Sequence, residues 1–137
     1  ANNMGAAMVP AFADTLLTHF ADTGRNPSYY DAIISGDLGK IGKEIAIDIA
    51  MSKGYNIKSN YNDCGLMIFD TKAQDTHAGG SGCACCGSVF SGFLFKQLKK
   101  KKIKKLLLIA TGALMNSTSS QQGESIPGIA HAVSIEL

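Results

Sequence analysis

Apolar positions along this chain change period several times, and each change marks an element. Met8-Val9, Phe12, Leu16-Leu17 and Phe20 recur at three- and four-residue spacing, which predicts an amphipathic helix. Pro10 falls near its first turn and Gly24 supplies a stop. Tyr30 to Ser35 contains the apolar run Ala32-Ile33-Ile34, a predicted strand that ends in Gly36-Asp37-Leu38-Gly39. Ile41, Ile45 and Ile49 then mark one face of a second helix ending near Gly54. Asn56 to Asp63 is polar and reads as a loop, and Leu66-Met67-Ile68-Phe69 reads as a short buried strand.

A third helix is expected from about Cys83 to Lys100. Cys86, Phe90, Phe93-Leu94 and Leu98 form a large apolar face, opposed by the small residues Ala84, Ser88, Ser91 and Gly92. Small side chains permit close approach by another backbone, so both faces are expected to be buried, as in the middle of a layered structure. Leu106-Leu107-Leu108-Ile109-Ala110 has the continuous apolar pattern of a central strand. Ala113 to Pro127 is too long and polar for a tight hairpin and reads as either an ordered functional loop or a mobile one. From Ile129 to Leu137, His131, Val133 and Ile135 alternate with Ala130, Ala132 and Ser134 as in a strand. The order of helices and strands predicts an α/β fold in one domain, residues 1–137, with no internal repeat and no linker.

Composition narrows the class. At 137 residues and 45% hydrophobic content, the chain can bury a substantial core. No apolar run is long enough to span a bilayer, and Ala1-Asn2-Asn3-Met4 lacks the charged and apolar regions of a signal peptide. A soluble chain is therefore expected. Three of four cysteines crowd at Cys83, Cys85 and Cys86, with Cys64 apart, which fits a reducing cytoplasm better than a disulfide scaffold. A formal charge of +2 gives no strong whole-molecule pull toward nucleic acid.

The candidate chemistry lies in Asp75-Thr76-His77-Ala78-Gly79-Gly80-Ser81-Gly82-Cys83, a glycine-rich loop that opens into the third helix. Glycines allow close backbone approach to a ligand, N–H groups of a helix's first turn attract anions, and His77 can donate or accept a proton. The plain alternative is a strand-to-helix turn with a hydrogen-bonded structural histidine. Cys83, Cys85 and Cys86 with His77 suggest zinc, but the cysteines point in different directions on a helix and lack Cys-x-x-Cys spacing, so core packing explains them better. No metal or other cofactor is expected. Seven lysines between Lys96 and Lys105 suggest nucleic acid or an anionic membrane surface, against the plainer reading of a solvated helix end. His19 and His131 have no chemical neighbours in sequence and are expected to be structural.

These residues support a resemblance. The element order, with Met4-Gly5-Ala6-Ala7-Met8-Val9-Pro10-Ala11 opening the first helix, is similar to the C-terminal half of a thiolase-like protein. Gly36-Asp37-Leu38-Gly39, the His77 loop, and Ala110-Thr111-Gly112-Ala113-Leu114-Met115 resemble the stage V sporulation protein AD family. So does the long, distinctive stretch from Thr118 through Gly123-Glu124-Ser125-Ile126-Pro127-Gly128 to Val133. The resemblance implies a mixed sheet of about four strands with helices on both faces. It covers almost the whole chain, and that family's N-terminal half, with the first strand of the C-terminal half, is expected to be missing.

The resemblance further implies a non-membrane component of the SpoVA machinery of spore-forming bacteria, which moves dipicolinic acid, usually with calcium, into the developing spore. Its setting would be cytoplasmic or peripheral at the forespore and inner spore membrane, with other SpoVA proteins as partners. His77, Gly79, Gly80, Ser81, Asp37, Thr111 and Gly112 are the positions expected to bind the ligand, placed at the end of the sheet where open α/β folds put ligands. Thiolases carry a His-Pro-x-Gly-x-Ser-Gly loop; here His77 and Gly80 keep the histidine and the glycine three residues later, Ala78 replaces proline, and Ser81-Gly82 comes one residue early. The second catalytic signature is replaced by Gly36-Asp37-Leu38-Gly39, without its His or Asn. A non-catalytic binding protein is therefore expected. The alternative is a thiolase-type acyltransferase acting on acyl-CoA thioesters, in which Asp37 takes a proton. A chain lacking its partner half would also expose Ala84, Ser88 and Gly92, which predicts a homodimer of this fragment.

Overall fold

A computed structural model describes residues 3–68, 73, 74, 77, 79, 82, 84–113, 122, 123 and 127–137. Helix α1 (Met4–Thr23) starts where the Asn3 side chain accepts from the Ala6 N–H at 2.9 Å, and stops at Gly24, whose φ of 68° lets its N–H reach the Phe20 carbonyl. It begins earlier than its apolar stripe suggests, so Pro10 lies inside the helix on the exposed side. The Ala6 carbonyl accordingly has no N–H at position 10 to accept from.

A 3₁₀ turn (Pro27–Tyr29) leads to β1 (Ala32–Ser35) and then α2 (Gly39–Ser52). The structure corrects part of the predicted α2 face, of which Ile49 packs against the core. Ile41 and Ile45 are 47% and 37% exposed, while Gly39, Gly42, Ala46 and Ala50 are buried. Close approach of α1 selects the small residues: a Cβ on Gly5 would lie 1.9 Å from the Leu38 carbonyl oxygen, and one on Gly42 would lie 3.2 Å from the Gly5 oxygen.

The next expectation is also corrected. The strand is β2 (Tyr61–Asp63), inside the segment read as a loop, and Leu66-Met67 belongs to a short helix, α3 (Cys64–Met67), with Ile68 41% exposed. Tyr61 and Asp63 are both buried, so a polar-looking strand was concealed by residues whose polar groups are satisfied internally. Phe69 lies outside the described residues.

α4 (Cys85–Val89), a π-helical turn (Phe90–Leu94) and α5 (Phe95–Lys99) run on as one helix. Its buried stripe is Cys85, Val89, Leu94 and Leu98. The five-residue step from Val89 to Leu94 is the π turn, and it rotates Phe93 outward to 48% exposure. Ala84, Ser88, Ser91 and Gly92 are exposed, so among the described residues one side of this helix is covered, where both were expected.

Strands β3 (Lys105–Ala113) and β4 (Gly128–Glu136) complete a four-stranded sheet in the order β2-β1-β3-β4. β1 pairs in parallel with β2 and β3, and β4 pairs antiparallel to β3. Alternation assigns the faces. Ile33, Leu107 and Ile109 meet Val9, Phe12, Leu16 and Phe20 on the α1/α2 side, whereas Ile34 and Leu106 meet Cys85, Val89, Leu94 and Leu98 on the other. The result is an α/β fold with a mixed four-stranded sheet and helices on both faces. The second face is covered incompletely: Ile129 and Val133 on β4 are 54% and 53% exposed.

Candidate functional site

The C-terminal ends of β1 and β3 bring three segments together. Asp37, in the turn between β1 and α2, donates its backbone N–H to Thr111 Oγ1 at 3.2 Å, and the Thr111 hydroxyl donates to Asp37 Oδ1 at 3.0 Å. The glycine-rich loop joins through Gly82, whose N–H donates to Asp37 Oδ2 at 3.2 Å. Gly36 makes the approach possible, since a Cβ there would lie 2.6 Å from Thr111 Oγ1.

Below this turn lies a residue that the sequence reading missed. Asp63, at the end of β2, is fully buried, and its carboxylate takes four donors. Oδ1 accepts from the Leu38 N–H at 2.9 Å and from the Ser35 hydroxyl; Oδ2 accepts from the Gly39 N–H at 2.9 Å and the Gly65 N–H at 3.0 Å. Because Ser35 spends its proton on Asp63, the buried Tyr61 hydroxyl donates to Ser35 Oγ at 2.8 Å. Burial pushes the Asp63 carboxyl up, against the downward pull of the four donors. Asp63 thus caps the starts of both α2 and α3, so its own charge already occupies the N-terminus of α2. Its available signal was an Asp directly ahead of an apolar Cys-Gly-Leu-Met helix start.

Of the expected ligand-binding positions, Asp37 and Thr111 are in direct contact. Gly112 follows on β3, paired with Ile129 of β4, and a Cβ there would meet Ile129 Cγ2 at 3.5 Å. His77 is exposed, with φ of 50°, and shares with Lys40, Ile41 and Glu44 a surface cleft of about 480 Å³ beside the first turns of α2. Gly79, with φ of 115°, packs against α3, where a Cβ would lie 2.6 Å from the Gly65 carbonyl oxygen. Gly80 and Ser81 lie outside the described residues, as do residues 114–121 and 124–126 of the long polar loop. Lys40 was missed because in sequence it is an ordinary polar helix residue.

Three of the four cysteines take part in packing. Cys64, Cys85 and the half-buried Cys86 belong to the core beneath the composite helix. Cys64 donates to Cys86, which raises Cys64 and lowers Cys86, while burial pushes Cys85 up to about 11. Among the described residues no three His, Cys, Asp or Glu side chains form a metal-binding group. Cys83 lies outside them. No described helix is long and apolar enough to cross a membrane.

His19 and His131 have different surroundings. His131 is exposed on β4. His19 Nε2 is hydrogen-bonded to the Tyr30 hydroxyl, which also accepts from Arg25 at 3.0 Å; Arg25 in turn pairs with Glu136 at 3.2 Å. This network ties the end of α1 to the end of β4, at the opposite end of the sheet from Asp37.

Comparison with known proteins places the chain. The sequence profile for Stage V sporulation protein AD (SpoVAD) matches residues 1–136. The stage V sporulation protein AD of Bacillus subtilis (strain 168) is 46% identical over 134 residues, which cover 98% of this chain and 39% of that protein. The chain therefore spans about two-fifths of the length of the relative it matches. With the Gly36–Gly39 turn, the His77 loop and the end of β3 meeting in one place, and with this match along its length, the chain belongs to the stage V sporulation protein AD family.

Proposed function

We propose that this chain is the C-terminal, thiolase-like part of a non-catalytic sporulation protein that binds dipicolinate for the SpoVA uptake machinery. The observation that carries this reading is the convergence of the β1–α2 turn, the end of β3 and the glycine-rich loop on Asp37, at the end of the sheet where α/β folds hold ligands. Dipicolinate is a planar dianion at neutral pH. His77 and Lys40, which line one cleft next to this turn, supply hydrogen-bond donors and positive charge for its carboxylates.

The same geometry argues against acyl transfer. A general base needs a carboxylate available to a substrate proton. Asp37 instead accepts from Gly82 and Thr111 and holds the turn closed. Other SpoVA proteins are the proposed partners, and the proposed setting is the forespore, in peripheral contact with the inner spore membrane. The exposed Ala84, Ser88, Gly92 and Phe93 side of the composite helix supports a homodimer of this chain.

Calorimetric titration of the full-length protein with dipicolinate tests the reading. Saturable binding is expected, weakened about tenfold or more by His77→Ala through loss of one charge-assisted hydrogen bond. Absence of binding overturns the reading, and unchanged affinity in a folded His77→Ala protein removes His77 from the site. Thiol release from acetyl-CoA or acetoacetyl-CoA is expected to stay at background. Turnover abolished by Asp37→Ala or His77→Ala would establish the acyltransferase alternative.

A further inference from the structure

We infer that the lysine-bearing end of the fold, from Lys96 to Lys104, is the surface that docks on an anionic lipid bilayer. This deepens the membrane contact proposed above and is independent of dipicolinate binding. Residues 96–105 hold seven of the chain's thirteen Lys and Arg and none of its eleven Asp and Glu, which leaves six basic against eleven acidic residues elsewhere. A chain of small net charge therefore carries a strongly polarised one.

The structure gathers these charges at one end. Lys96, Lys99, Lys100, Lys101, Lys102 and Lys104 are exposed, on the last turn of α5 and the turn into β3. Among the described residues none of them forms a salt bridge; Asp31 accepts from the backbone N–H groups of Lys104 and Lys105, not from their ammonium groups. Lys101 occupies the left-handed position of the α5 cap, with φ of 55°, where the Lys102 N–H reaches the Gln97 carbonyl at 3.0 Å. Glycine is the unstrained residue at that position, so the chain carries a charge there in spite of backbone strain.

Phe95 stands 50% exposed beside this cluster, with the Lys99 ammonium 5.8 Å from its ring centre. An aromatic ring bordered by lysines suits the headgroup boundary, where the ring enters the apolar edge and the ammonium groups face anionic lipid. A nucleic acid is disfavoured on the same observations. The patch contains no arginine for bidentate or stacking contacts, since Arg25 is paired with Glu136 at β4, and the acidic remainder repels a polyanion that extends past the patch.

Orientation follows from the parallel pairing of β1 and β3. The lysines lie at the start of β3 and the Asp37 cluster at its far end, six residues or about 20 Å away. Docking by the lysine end directs the Asp37 cluster away from the bilayer.

Co-sedimentation of the chain with phosphatidylcholine vesicles, with and without phosphatidylglycerol, reads this directly. Binding is expected to require phosphatidylglycerol and to collapse at high salt. The combined variant Lys99→Gln, Lys100→Gln, Lys101→Gln and Lys102→Gln should bind at least about a hundredfold more weakly, since each lysine near such a surface contributes about fivefold. Lys53→Gln with Lys58→Gln should bind as the parent does. Equal binding to neutral vesicles, indifference of the parent to salt, or tighter binding to a DNA duplex at the same ionic strength each overturns the proposal. The salt response is measured on the parent and does not depend on the variant folding. Dipicolinate titration of the quadruple variant separates the two readings: retained ligand binding with lost vesicle binding is expected.

Discussion

The hydroxyl of Thr111 accepts from the Asp37 backbone N–H and returns its own proton to the Asp37 carboxylate, so that one side chain on β3 holds both ends of one residue in the β1–α2 turn. Parallel strands have no hairpin to join their ends, and this pair takes that place. Thr111→Val keeps the shape and removes both bonds. Stability should fall by about 1–2 kcal/mol, seen as a Tm drop of about 2–4 °C per kcal/mol, while Thr111→Ser retains most of it. A Val variant melting with the parent would show that the turn is held by other contacts.

Asp63 should matter more. Asp63→Ala leaves the Leu38, Gly39 and Gly65 N–H groups and the Ser35 hydroxyl without their acceptor in a buried place, a loss of about 3 kcal/mol or more. Tyr61→Phe removes only the outermost donor of the chain and should cost about 1 kcal/mol. Denaturant titration that ranks the two variants in the opposite order would contradict this hierarchy.

Two helical glycines should respond with opposite sign. Gly5→Ala places a methyl 1.9 Å from the Leu38 carbonyl oxygen, where backbone must move, and is expected to cost about 1–3 kcal/mol. Gly87 in α4 has nothing within 4 Å of an added Cβ, and Gly87→Ala should stabilise by about 0.5–1 kcal/mol. Thermal melts of the pair decide whether the α1/α2 approach is as close as described.

Stability should fall on mild acidification. Burial, and secondarily the charge of Arg25, hold the His19 pKa below its ordinary value of 6.5. For a base whose folded pKa is lowered, the unfolded chain takes up the proton first. Stability is then full above about pH 6.5 and is lost progressively as pH falls from there through the folded pKa. Denaturant midpoints between about pH 7 and about pH 5 should decline in the parent and flatten in His19→Gln. An equal slope in both would assign the loss to other groups.

Assembly of the chain can be read by light scattering coupled to size exclusion. A dimer is expected at micromolar concentration, and Ser88→Arg with Gly92→Arg, both on the exposed side of the composite helix, should return it to monomer. A dimer that survives both charges is built elsewhere, with the uncovered Ile129 and Val133 face of β4 the next place to test.

Periodicity alone revealed those elements whose burial is apolar. The α1 stripe, the Ala32–Ser35 strand and the continuous apolar run of β3 are where spacing put them, because a core selects hydrophobic residues at the repeat of the element that faces it, and the alternating β4 is in place with Ala130, Ala132 and Ile135 half-buried against the core. The family, too, was legible in the Gly36–Gly39, His77 and Ala110–Met115 motifs. What the sequence could not express was closeness and internal pairing. The buried face of α2 follows its glycines and alanines because α1 passes within backbone contact, and Ile41 and Ile45 are left outward. β2 was hidden because Tyr61 and Asp63 are buried by hydrogen bonding to Ser35 and to the starts of two helices, partners separated by up to 28 residues in sequence. A single π turn moved Phe93 out of the apolar stripe. Each of these depends on which backbone lies opposite, and only the packed tertiary structure determines that.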